Sequence, residues 1–175
     1  MKIDPTIKRA MSEAFDENSL EDFSGLLSQH PGYLRNPEKG TDWWMWMAAM
    51  EGKLPFLKLI VELGLDVNES CDLPDPDNPF CTFEGPILHA ASEGHVEVVR
   101  WLLEKGAKIN YTVNGQVRCL PLLRAACHGH LDVVRQLVEH GADLHFSFNG
   151  HTPVSQAEGY GHPEVAEYLR SVGAK

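Results

Sequence analysis

No run of about 18 apolar residues occurs in this 175-residue sequence, which removes a membrane-spanning helix from consideration. Basic residues are scarce. Fifteen Lys and Arg stand against 25 Asp and Glu, for a formal net charge of −10. Binding to nucleic acid draws much of its affinity from basic side chains that release counterions, so a nucleic-acid partner is not expected. The acidic balance instead favours a protein partner with a basic or apolar patch. Cysteines number only four, Cys71, Cys81, Cys119 and Cys127, and no C-x-x-C pair occurs. The N-terminal stretch carries scattered acids and no apolar h-region, so it is not read as a secretory signal. The cysteines are therefore read as reduced thiols of a cytoplasmic protein. One alternative stays open: Cys71 and Cys81 flank a single loop and could bridge it.

Catalytic and cofactor motifs are missing as well. There is no Gly-x-Ser-x-Gly elbow, no phosphate-cradling glycine loop and no H-E-x-x-H. Cys127, His128 and His130 crowd together in C-H-G-H, but without metal-ligand spacing. The expectation is a protein with no enzymatic activity, no cofactor and no metal.

What the sequence does have is a repeat. "PILHAASEGHVEVVRWLLEKGAKIN" (86–110) falls into step with "PLLRAACHGHLDVVRQLVEHGADLH" (121–145). A Gly-His pair recurs at Gly94-His95, Gly129-His130 and Gly161-His162, preceded by a weaker Gly52-Lys53 and a degenerate Asn18-Ser19. The period is near 33 residues except between Gly52 and Gly94, where it lengthens. Within one unit, Pro86 opens a short helix, a position where its missing N–H costs nothing. The Ala90-Ala91 pair allows close approach of a neighbour, and Gly94 ends the helix. Val96, Val98, Val99, Leu102 and Leu103 then recur at helical spacing, and Gly106 suits a left-handed helix end. Asn114-Gly115 between alternating residues signals a hairpin, and Asn149-Gly150 repeats the signal. A helix pair cannot bury its apolar face alone, so the chain stacks copies until it can.

These residues resemble the ankyrin-repeat family, whose pattern runs T-P-L-H-x-A-A-x-x-G-H, then V-V-x-x-L-L, then G-A-D-x-N. The third unit matches at Pro86, Ala90, Ala91, Gly94, His95, Val98, Val99, Leu102, Leu103, Gly106, Ala107 and Asn110. The fourth matches at Pro121, Ala125, Ala126, Gly129, His130, Val133, Val134, Leu137, Gly141, Ala142 and Asp143. The resemblance implies an all-α repeat solenoid of helix-turn-helix units with β-hairpin fingers, about five repeats forming one domain over 1–175. The units run about 5–36 (N-cap), 37–70, 83–112, 118–147 and 150–175 (C-cap), with a long finger insertion at 69–85. The first unit keeps only the hydrophobic skeleton of Leu20, Phe23, Leu26 and Leu27. The pattern's His is replaced by Trp46, Leu88, Leu123 and Ser155, so the junctions are expected to rely more on packing.

The resemblance also implies a protein–protein interaction module that binds through its concave face and finger loops, as a monomer. An inhibitor that blocks a partner's active site, in the manner of small acidic immunity proteins, is the alternative. The expected partner-binding positions are Asp42, Trp43, Trp44, Met50, Glu51, Phe80, Thr82, Phe83, Glu84, Ser92, Glu93, Gln116, Arg118, His128, Phe146, Phe148, His151 and Tyr160. Two readings stay open for the tryptophans of "TDWWMWMAAM": core filling at a degenerate junction, or a contact surface. The insertion "ESCDLPDPDNPFCTFEG" (69–85) likewise reads as either a tolerated surface loop or an acidic, aromatic contact. Phe146 and Phe148 alternate, so an apolar side of the last finger is expected.

Overall fold

Short apolar stretches that begin at proline or a side-chain cap and stop at a left-handed glycine can only make short helices, and the chain makes them in succession. The computed structural model describes residues 4–34, 43–68, 85–113, 116–118, 120–147 and 150–175, the side chains of Trp43, Tyr111–Val113 and Gln116–Arg118 excepted. These residues hold α1 (Pro5–Asp16), α2 (Leu20–Gln29), α3 (Trp43–Met50), α4 (Leu54–Glu62), α5 (Pro86–Glu93), α6 (Val96–Glu104), α7 (Leu120–Cys127), α8 (Leu131–Glu139), α9 (Pro153–Gly159) and α10 (Pro163–Ser171). Asp4 caps α1 by accepting from the Thr6 N–H at 2.8 Å. Thr152 and Ser155 cap α9 reciprocally, each side chain taking the other's backbone N–H. Gly94 ends α5 at φ +79°, as expected.

Each odd-numbered helix packs against the even-numbered helix that follows it. The odd-numbered helices from α3 on also stack on one another, in the order α3, α5, α7, α9. The paired alanines explain the closeness of this stack: Ala48, Ala49, Ala90, Ala91, Ala125 and Ala126 are all fully buried. The even helices supply the larger core side chains, among them Phe56, Leu57, Ile60, Val98, Val99, Leu102, Val133, Val134, Leu137, Val165 and Leu169. Between α6 and α7, β1 (Tyr111–Val113) pairs antiparallel with β2 (Gln116–Arg118), with Tyr111 opposite Arg118, Thr112 opposite Val117 and Val113 opposite Gln116. The expected turn at Asn114-Gly115 lies outside the described residues. No second strand pair occurs among the described residues around Asn149-Gly150, and Asn149 itself lies outside them.

The first unit joins the stack through aromatics in place of alanines. Phe15, Phe23, Trp44 and Phe56 form one cluster, with the Phe15–Phe56 centroids 4.9 Å apart and Phe23–Trp44 5.0 Å apart, edge to face. The Trp44 indole N–H donates to the Tyr33 carbonyl at 3.1 Å, so its one polar atom is satisfied. Trp44 is only 7% exposed, which places it in the core and removes it from the expected contact surface. Phe146, at 4% exposure, is corrected likewise. Its ring faces the core, so this part of the last finger turns its apolar side inward.

Candidate functional site

The Gly-His pairs tie each unit to the one before. The His95 Nε2–H donates to the Met50 carbonyl at 2.8 Å, and the His130 Nε2–H donates to the Ser92 carbonyl at 2.9 Å. A carbonyl only accepts, so each ring must carry its proton on Nε2. The rings lie flat over the preceding glycines. A Cβ added to Gly52 would stand 2.7 Å from His95 Nδ1, and one added to Gly94 would stand 2.5 Å from His130 Nδ1. His162 covers Gly129 in the same way. These glycines are thus needed twice, for their left-handed φ and for the ring above them. These bonds cross between units and do not close the histidines' own turns.

Lys53 fills the histidine position of the second unit. Its Nζ donates to the Phe15 carbonyl at 2.6 Å, lies 4.0 Å from the Phe15 ring centroid and pairs with Glu51 at 3.0 Å. With a flexible chain here and no flat ring, the glycine position beneath is free to be Asn18, at φ +60°. A second tie runs along the loops. Asn68 donates to the Gly106 carbonyl at 3.1 Å and accepts from the Lys108 N–H at 2.7 Å. Asn110 repeats this with Gly141 at 2.8 Å and Asp143 at 3.0 Å.

With register fixed this tightly, the open faces of the odd helices line up. In α5 the buried residues are Pro86, Ile87, Leu88, Ala90 and Ala91, which leaves His89 and Ser92 half-buried and Glu93 exposed. The same positions in the other helices give two rows. One is Met47, His89, Arg124 and Gln156; the other, four residues on and so on the same helix face, is Glu51, Glu93, His128 and Tyr160. The second row is exposed throughout, and Tyr160 retains 64% of its surface. The strip is acidic at the α3 and α5 end and carries Arg124, His128 and Tyr160 at the other.

His89 is the one group on the strip with a resolved shift. Burial, reinforced by the nearby Arg124 guanidinium, lowers it from 6.5 to about 4. Its ring meets Trp46 edge to face at 5.2 Å, so Trp46 bridges α3 to α5. His128 Nδ1 donates to the Ser92 carbonyl at 2.7 Å and lies 3.2 Å from Ser92 Oγ. The nitrogen that would have to accept a serine proton is therefore itself a donor, and the pair is not set up as a nucleophile and base. Among the described residues no group of three or more His, Cys, Asp or Glu is placed to hold a metal ion.

Of the expected contact positions, Glu51, Glu93, His128 and Tyr160 fall on this strip, Met50 and Ser92 are half-buried one position before its second row, and His151 is exposed just ahead of α9. Trp43 begins α3, and Gln116 and Arg118 lie on β2; only their backbone is described. Asp42, Phe80, Thr82, Phe83, Glu84 and Phe148 lie outside the described residues, as do the Cys71–Cys81 pair and nearly all of the 69–85 insertion. Sequence reasoning missed the Met47, His89, Arg124 and Gln156 row. The signal was available in its helical offset of four from the recognised row.

A stack of helix pairs with glycine-capped turns and loop-to-loop asparagine ties defines a helical repeat solenoid. The family model for ankyrin repeats (three copies) matches residues 11–113, 44–147 and 112–175, and the chain belongs to the ankyrin-repeat family. Ankyrin repeats are generally protein–protein interaction modules and typically not enzymes. A search of curated proteins found no match to this chain. No helix among the described residues is long and apolar enough to cross a membrane.

Proposed function

We propose that this chain binds a partner protein along the strip of open odd-helix faces, with the fingers and the 69–85 insertion extending the contact. Tyr160 carries the reading. Among the described residues it is the most exposed large apolar side chain, and it stands in the same row as Glu51, Glu93 and His128 on an otherwise regular scaffold. Tyrosine is enriched among residues that dominate binding energy, because it buries a large rigid surface and keeps a polar tip. The acids at the other end of the strip would orient a basic partner and speed its association. In this reading the protein acts as a monomer in the cytoplasm, either as a scaffold or as an inhibitor.

Affinity capture from the source cell tests it, comparing the intact chain with a Glu93→Lys/Tyr160→Ala variant of equal helicity. A stoichiometric partner kept by the first and lost by the second is expected. The partner's activity with and without the chain then separates inhibitor from scaffold. Equal capture by both versions would move the contact off the strip.

A further inference from the structure

Arg124 stands apart from the other arginines of the described residues. Arg9 pairs with Glu13 at 3.3 Å, Arg100 pairs with Glu97 at 2.9 Å, Arg170 pairs with Glu158, and the Arg135 guanidinium lies 4.8 Å from the Tyr168 ring centroid. Arg124 pairs with no carboxylate among the described residues, in a chain with ten more acids than bases, and the group it acts on is the uncharged His89 ring. It is exposed, four residues before His128 on the same face of α7. On the α5 side stands His89, which burial and Arg124 together hold uncharged at neutral pH. On the α9 side stand Gln156 and Tyr160, neutral donors. The other end of the strip holds Glu51 and Glu93.

We propose that Arg124 seats a carboxylate of the partner protein, so that the strip reads a two-signed segment: a basic residue over Glu93, and an Asp or Glu against Arg124. This rests on the strip being the binding face. A guanidinium presents paired N–H groups that match the two oxygens of a carboxylate, which gives a direction as well as an attraction. A single negative charge fits one guanidinium; a dianionic phosphate would be opposed more strongly by a chain of net charge −10. The sign change along the strip also fixes which way the segment runs, since the reversed segment would set like charges against each other.

A displayed library of 12-residue peptides, selected on the immobilised protein at low salt, tests this. Selection on the intact chain should enrich an Asp or Glu at one position and Lys or Arg at a fixed offset from it. Selection on Arg124→Glu should place Lys or Arg at the first position, and selection on Glu93→Lys should place an acid at the second. For a synthetic selected peptide, Arg124→Glu should weaken binding at least tenfold by calorimetry, and a peptide carrying the opposite charge at that position should regain it. Arg124 is exposed, so matching circular dichroism and urea midpoints are expected for the variants. Arg124→Glu selecting the same acidic position as the intact chain would overturn the carboxylate seat, while a Glu93→Lys shift in the same experiment would leave the strip reading standing. A phosphoserine peptide binding more tightly than its aspartate counterpart would overturn the carboxylate assignment. No enrichment by any version would overturn both readings.

Discussion

Replacing Gly94 with alanine should cost more than replacing Gly161, although both residues are left-handed, at φ +79° and +83°. The strain of an alanine in that conformation is about 1–2 kcal/mol at either site. At Gly161 nothing lies within 4 Å of the added Cβ, so the cost ends there. At Gly94 the Cβ would stand 2.5 Å from His130 Nδ1. The ring must swing away, and with it goes the Nε2–H bond to the Ser92 carbonyl, a further ~1 kcal/mol. Gly94→Ala is therefore expected near 2–3 kcal/mol in urea unfolding, against about 1–2 for Gly161→Ala. A double-mutant cycle isolates the ring. Once His130 is alanine, Gly94→Ala should fall to the Gly161 value, a coupling of about 1 kcal/mol. Equal costs for the two glycines, or no coupling to His130, would refute the idea that the ring over the glycine sets the unit-to-unit register.

His89 predicts a pH dependence. Its folded value is lowered, so the unfolded chain takes up the proton first. Stability is complete above pH 6.5 and falls as pH drops towards about 4, with a slope near 1.4 kcal/mol per pH unit from this group. The stability lost between pH 6.5 and 5 should be about 2 kcal/mol smaller in His89→Gln than in the intact chain, measured by urea unfolding at each pH. Lys53→His alone should destabilise, because a ring there meets the Asn18 side chain; adding Asn18→Gly should recover stability in a thermal melt. Asn110→Ala removes two bonds between neighbouring loops and should cost about 1–3 kcal/mol. Trp44→Ala and Phe146→Ala should each cost about 3–5 kcal/mol, which would mark them as core residues in chemical denaturation.

The regular parts of this chain were legible because each physical requirement leaves a residue behind. Pro86 and Pro153 mark helix starts, Ala90-Ala91 marks the close approach, and Gly94 and Gly106 mark the ends. Asn110 was recognised as a family position, but only the structure shows it bridging two loops. The direction of the histidine bonds was not legible, since a Gly-His pair looks the same whether the ring serves its own turn or the turn before. Trp44 and Phe146 misled for another reason. Their aromatic character says that they must be covered, and sequence does not say whether the cover is the chain's own core or a partner. Arg124 was overlooked because it sits at a variable position of the pattern. Its interest lies in having no carboxylate partner among the described residues, which only coordinates reveal.

The most direct test of the binding account is amide hydrogen exchange on the complex with a captured and purified partner, compared with the free chain. The account predicts slowed exchange in α3, α5, α7 and α9 around 46–51, 89–93, 124–128 and 156–160, with α6, α8 and α10 unchanged. Protection confined to the even-numbered helices would contradict it.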